Sequence, residues 1–170
     1  MTDKASNSAP NQTANKTPNQ TPNNTMKTFG YPDTLIREYD HWCVLLRPAQ
    51  VTLGSLVLAC KDPAQKFSEI SAQAFTEQAQ VVQDIERVLA QFVSFEKMNY
   101  MMLMMVDPDV HYHVLPRYGA PRRFEEAQNA ALSALEFVDV GWPALPALAE
   151  PTVTTPEQNA ELVAHLQSIW

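Results

Sequence analysis

Between residues 72 and 95 the apolar side chains Phe75, Ala79, Val82, Ile85, Val88, Leu89 and Phe92 recur at steps of three and four. That spacing predicts one long amphipathic helix with a single apolar stripe, and Ser71 stands where its N-cap belongs. Such a stripe needs a surface to cover, and the flanking sequence offers short strands. Residues 34–39 and 42–47 read as two strands broken at Asp40-His41; the second stops at Arg47-Pro48, since proline has no N–H for a ladder. A third enters through Gly54 and runs apolar from Leu56 to Cys60. Beyond the helix, "MNYMMLMMVD" reads as a strand, Asp107-Pro108 as a turn and "VHYHVLPRY" as the neighbouring strand. "FEEAQNAALSAL" reads as a short helix and "VGWPALPALAEP" as irregular chain. The last stretch predicts a capped helix, with Thr155 as cap, Pro156 at the first helical position and Glu157 in the first turn. Strands, one long helix and more strands predict an α+β domain on an antiparallel sheet of about five strands, not a doubly wound fold.

The first 25 residues are of another kind. Asn, Thr, Pro, Gln and Ser dominate them, and from Asn11 they fall into a degenerate four-residue repeat, NQTA, NKTP, NQTP, NNTM. A segment so poor in large apolar side chains cannot offset its ordering entropy, so a disordered tail is expected over 1–25. Each repeat spells N-x-T, yet no apolar run precedes it to direct secretion. The expected organisation is therefore a tail over 1–25, a domain over 26–150 and a C-terminal helical extension over 151–170.

The net charge is −7, and Lys4, Lys16 and Asp3 give the tail +1, so the rest carries −8. An acidic body argues against charge-driven binding to nucleic acid or anionic membranes, though not against a small phosphate pocket. The central apolar run "YMMLMMV" is far short of the ~20 residues that span a bilayer. Cys43 and Cys60 each lie inside an apolar run, which points to buried free thiols and a reducing, cytoplasmic setting. There is no G-x-G-x-x-G or Walker loop to support a dinucleotide or P-loop reading.

The chemistry-bearing stretch is "DPDVHYHVLPRY", residues 107–118. In a strand, His111 and His113 project from one face, ~6.6 Å apart along the backbone, with Tyr112 and Val114 on the other. Three readings of the pair stand open. They can be half-exposed polar positions of an edge strand. They can chelate zinc or iron, but one ion needs a third ligand; Asp109 lies ~13 Å from His113 along a straight strand, and His41 and His165 show no ligand spacing. Or they can work at phosphorus: one imidazole attacks with one ring nitrogen while the other nitrogen holds its proton on an acceptor, and the second histidine donates to a phosphate oxygen.

The stretch Asp109-Val110-His111-Tyr112-His113-Val114-Leu115-Pro116-Arg117 resembles the signature of the histidine-triad (HIT) family, His-φ-His-φ-His-φ-φ with φ apolar, in the branch that continues Pro-Arg. "RPAQVTLGSLVLACKDPAQKFSEISAQAF" is similar to the family's pattern of strand, glycine, strand and helix start. Together these cover roughly residues 30–118. The resemblance implies a small α+β domain, usually a homodimer, that acts at the α-phosphate of dinucleoside polyphosphates or nucleoside phosphoramidates. His111 aligns with the family's nucleophile, which forms a transient nucleotidyl-histidine, and His113 with the histidine that contacts phosphate. No cofactor is implied.

Asp109 takes the place of the first triad histidine, where its carboxylate would lie near the phosphates or orient His111. Ser55 follows Gly54 where many relatives carry histidine, and "MMVDPDV" replaces a Gly-Gln-Ser/Thr phosphate-binding segment. Arg47 falls near a position where relatives hold ribose hydroxyls. Asn99 and Arg117 complete the candidate substrate contacts, each weighed against a plain structural use of the same side chain. Met101, Met102, Met104 and Met105 read as adaptable core filling; Arg122 and Arg123 as solvated loop charge; Trp142 as packing for the C-terminal segment, onto the domain or across a dimer interface. The implied function is a HIT-type hydrolase or nucleotidyl transferase, the alternative a catalytically weak nucleotide-binding or regulatory module on the same fold.

Overall fold

The structure is a computed structural model, and it describes residues 21–170. The expected disorder of residues 1–20 lies outside the described residues. A short helix α1, Asn24–Thr28, precedes three strands: β1, Leu35–Glu38, β2, Trp42–Leu46, and β3, Leu56–Cys60. The long helix α2, Ala72–Phe92, follows, then β4, Lys97–Met101, and β5, His111–Arg117. Helices α3, Ala130–Ala134, and α4, Pro156–Ser168, complete the chain. The strands form one sheet in the order β1-β2-β3-β5-β4, with every neighbouring pair antiparallel. The fold is α+β, as the pattern of the sequence predicts.

The central strands β2 and β3 are buried along their whole length, because both faces of the sheet are covered. Trp42, Val44, Leu46, Leu56 and Leu58 face the larger core with Ile85, Val88 and Leu89 of α2 and Leu162 and Leu166 of α4. Cys43, Leu45, Val57 and Ala59 face a smaller one closed by Met26, Phe29 and Tyr31. Gly54 turns the chain into β3 at φ +86°, and a Cβ there would meet Leu89 at 3.2 Å and Phe92 at 3.3 Å. Only glycine meets both demands without strain.

Ser71 caps α2 by accepting from the Ala74 N–H at 3.1 Å, and Thr155 caps α4 in a capping box with Gln158. Several expected boundaries move. α2 ends at Phe92 and not at 95, because the β-branched Val93 takes extended backbone and leads into β4. Its buried stripe is Ala74, Val81, Ile85, Val88 and Leu89. Phe75 is left 41% exposed, with its ring against Phe67 at 5.0 Å. β4 stops at Met101, so Leu103, Met105 and Val106 belong to no strand; they are 41%, 86% and 89% exposed. Of the methionines read as core filling, Met102 and Met104 do pack against the core, and Met105 does not. The short helix begins only at Ala130, where Asn129 caps it.

Two organisational expectations also shift. Thr25 is fully buried, and Asn23 caps α1 and donates to the Cys60 carbonyl at 2.9 Å, so residues 23–25 are part of the fold. α4 packs on β1 and β2, and its Leu162 and Leu166 belong to the main core. Cys43 and Cys60 are buried free thiols, and burial pushes both up to about 12. No helix among the described residues is long and apolar enough to cross a membrane.

Candidate active site

β5 starts at His111, which pairs with Ala59, while His113 pairs with Val57. Directly paired residues share a face, so both imidazoles lie on the smaller-core side. Tyr112 points the other way, its ring 6.1 Å from that of Trp42. The expected alternation therefore holds from His111 onward. Both histidines are buried, at 1% and 9% exposure, and their rings meet edge-on with centroids 5.2 Å apart.

His111 Nδ1 lies 2.7 Å from the backbone carbonyl oxygen of Asp109. A carbonyl only accepts, so Nδ1 carries a proton, and the tautomer of the neutral ring is the one with its lone pair on Nε2. The residue that orients His111 is thus Asp109, but through its backbone. Its carboxylate is turned elsewhere: Oδ2 accepts from the Thr25 N–H at 3.1 Å, and the Asp109 N–H donates to Thr25 Oγ1 at 3.3 Å. That reciprocal clip holds α1 against the site. Phe29, one residue past α1, places its ring 5.8 Å from His111 and 5.7 Å from His113.

Removing the clip has a defined expected result. A hydrogen bond to a charged acceptor is worth ~1.5–3 kcal/mol, so Asp109→Ala should raise amide hydrogen exchange over residues 23–29 by about 10- to 100-fold. Asp109→Asn keeps an acceptor and should stay near wild type. Unchanged protection in Asp109→Ala would mean that α1 is held by its apolar contacts alone.

The two histidines open onto a cavity of about 320 Å³ that is also lined by Phe29, Arg47 and residues 103–107. Arg47 follows β2 and donates through Nη1 to the Ala49 carbonyl. Its Nε and His113 Nδ1 are both buried without a hydrogen-bond partner. Burial lowers the pKa of Arg47. Burial first, then the neighbouring His111 and Arg47, push His113 down to about 4, against a smaller upward pull from Asp107. His113 is therefore neutral at pH 7 and can give one N–H to a ligand.

The same shift makes stability depend on pH. An unfolded histidine takes its proton near 6.5 and the folded His113 only near 4, so the unfolded chain binds more protons in between. The stability from His113 is complete above about pH 6.5 and is lost as pH falls toward 4, by roughly 3 kcal/mol. Urea unfolding at pH 7 and pH 4 should show His113→Gln losing about that much less than wild type. Equal losses would contradict the assignment.

Of the other candidates, only Arg47 shares the cavity. Ser55 is fully buried in its turn, where Oγ donates to the Thr52 carbonyl at 2.7 Å and accepts from the Thr52 N–H at 2.9 Å. It shapes the strand junction, and its hydroxyl is engaged within that turn. Arg117 lies four residues along β5 from His113, ~13 Å away, and is buried in a bidentate pair with Asp139 at 2.5 and 3.0 Å. Asn99 serves that pair, its Oδ1 accepting from Arg117 Nη1 at 2.8 Å. Both belong to the far end of the sheet. Arg122 and Arg123 pair with Glu96 and Glu136. His41 bonds Asp62 at 3.1 Å, and His165 lies among the rings of Phe124 and Phe92. Among the described residues no three His, Cys, Asp or Glu side chains gather as a metal-binding group. Met104 and Asp107 line the cavity from the segment 104–110 that stands where relatives bind phosphate, whereas Phe29 has no signal in the sequence; an isolated Phe-Gly before a proline gives no hint that it returns to a strand 80 residues later.

No family model and no curated protein sequence matches the chain. Solved structures do. A histidine triad protein from Sinorhizobium meliloti matches with a TM-score of 0.66 at 13% identity, covering 91% of this chain and 99% of that one. One from Bradyrhizobium japonicum matches with 0.62 at 15% identity, over 89% and 98%. Against the C. elegans NitFhit protein the TM-score is 0.57 at 15% identity; 81% of this chain is covered, but only 27% of that one. The chain has the fold of the histidine triad proteins.

Proposed function

We propose that the protein is a nucleotide phosphohydrolase or nucleotidyl transferase that works at an α-phosphate through a covalent nucleotidyl-His111 intermediate. The observation that carries this reading is the 2.7 Å bond between Nδ1 of the cavity-lining His111 and the Asp109 carbonyl, which leaves Nε2 as the nitrogen to attack phosphorus. In the first step an Nε2–P bond forms and the bond from phosphorus to the leaving group breaks; the leaving group departs with the electron pair and is protonated. In the second, a water oxygen bonds phosphorus, the P–Nε2 bond breaks with its electrons returning to Nε2, and the water's proton is released. His113 donates an N–H to a phosphoryl oxygen, and Arg47 supplies the nearby positive charge. In this reading Asp109 occupies the first triad position and acts through its carbonyl on His111 and through its carboxylate on α1.

Dinucleoside polyphosphates and nucleoside phosphoramidates are the two substrate classes to try. The same proposal has the protein working as a homodimer in the reducing cytoplasm. The test is release of AMP from a diadenosine polyphosphate and from an adenosine phosphoramidate, by wild type and by His111→Ala. Wild-type release that the variant lacks supports the reading; no release by either removes both substrate classes.

One observation favours a second reading, a nucleotide-binding module that turns over little. Residues 103–106 line the cavity with Leu, Met, Met and Val, and so offer a phosphate no hydroxyl or amide side chain. Nucleotide binding by wild type without release of product would select that reading.

A further inference from the structure

We propose that the site selects a substrate whose leaving group is apolar, an alkyl or aryl chain joined through oxygen or nitrogen to a single phosphoryl centre, and discriminates against a run of further phosphates. This deepens the reading of His111 as nucleophile and rests on it.

The cavity has two unlike sides. One carries the imidazoles of His111 and His113 with the guanidinium of Arg47. The other is four consecutive apolar residues, 103–106, followed by Asp107. Arg47 is the single cation in the lining and Asp107 the single carboxylate. One phosphoryl group at His111 has three polar side chains to meet. A second or third phosphate would meet apolar surface and a carboxylate, with no donor side chain and with like-charge repulsion.

An apolar leaving group meets the reverse situation. Met105 and Val106 are 86% and 89% exposed and Leu103 is 41% exposed, directly beside the buried imidazoles. Covering them removes apolar area from water on both partners. Between them, Met104 sits at φ 50°, in the left-handed region that L side chains seldom occupy. Strain of this kind gathers at ligand sites, where surrounding structure holds it. Methionines also adapt to apolar groups of varied shape, which suits a wall and not a keyed pocket.

The experiment is equilibrium binding by calorimetry with five probes: AMP, ADP, the hexyl ester of AMP, and the pair inorganic phosphate and hexyl phosphate as a nucleoside-free control. The hexyl ester should bind about tenfold or more tightly than AMP, and ADP no more tightly than AMP. In the Met105→Ser/Val106→Ser double variant, whose side chains are exposed enough to leave folding intact, the hexyl gain should fall below about threefold. A hexyl gain with the phosphate pair but no binding of AMP would leave this inference standing and remove the nucleotide reading. ADP binding above the hexyl ester, no hexyl gain in either pair, or a gain that survives the double variant would overturn it. So would a double variant that shifts the sedimenting mass with the hexyl gain absent in wild type, which would make the patch a seat for a second copy.

Discussion

Replacement of His111 by alanine is expected to lower AMP release from an adenosine phosphoramidate at least about a thousandfold, with unfolding by urea little changed. The size of the effect follows from what is lost. Without an imidazole no nitrogen can form the phosphorus bond, and water must attack unaided. The loss should appear in kcat, because in the proposed mechanism the phosphoryl group would keep His113 and Arg47 as partners in the ground state. His113→Ala should cost less, roughly a hundredfold, since it removes one donor to the developing charge and not the attacking atom. A His111→Ala enzyme within tenfold of wild type would mean that the reaction does not pass through this imidazole. Rapid quenching of wild type with labelled substrate adds a direct check, because an acid-labile phosphoramidate on the protein should accumulate in wild type alone.

Asp139→Ala is the substitution with the largest expected effect on stability, about 3–5 kcal/mol. Asp139 is 7% and Arg117 2% exposed, and Asp139 holds both Nε and Nη2 of the guanidinium. Alanine would leave that charge buried with only Asn99 and the Ala144 carbonyl for partners. Arg117→Met together with Asp139→Leu should recover most of the loss, because apolar replacement of both partners leaves no unpaired charge. Urea unfolding at pH 7 measures all three chains. A cost below about 1 kcal/mol for Asp139→Ala would mean that water reaches the pair. Where the variant remains folded its turnover should match wild type, since Arg117 stands ~13 Å along the strand from His113. That separates a stabilising arginine from a substrate contact.

The sheet was readable because its strands announce themselves locally: apolar runs stopped by Pro48, opened by Gly54, and a helix capped by Ser71. The one-face placement of His111 and His113 was readable for the same reason, since alternation is a property of any strand. What the sequence hid is long range. Asn99 and Arg117 have the look of ligand contacts, and only the fold reveals that Asp139, 22 residues on, claims the arginine. Asp109 beside a histidine invites a carboxylate–imidazole pair, yet the backbone carbonyl is the nearer acceptor and the side chain finds the Thr25 amide. The methionine run misled at Met105, because apolar character alone does not distinguish a buried strand from the wall of an open cavity.

The clip between Thr25 and Asp109 bears on how the protein is prepared for the bench. Met26 is a tempting place to begin a shortened gene, since the polar repeats end there. A product started at that codon would lack Asn23, which tethers α1 to the Cys60 carbonyl, and Thr25, whose amide and hydroxyl both meet Asp109. It would also put a charged amino terminus where a buried residue belongs. Phe29 would then hang from an untethered end above the two imidazoles, and a preparation that folds well would still lack the aromatic cover of its cavity. Starting at or before residue 21 keeps the anchor and the aromatic cover together.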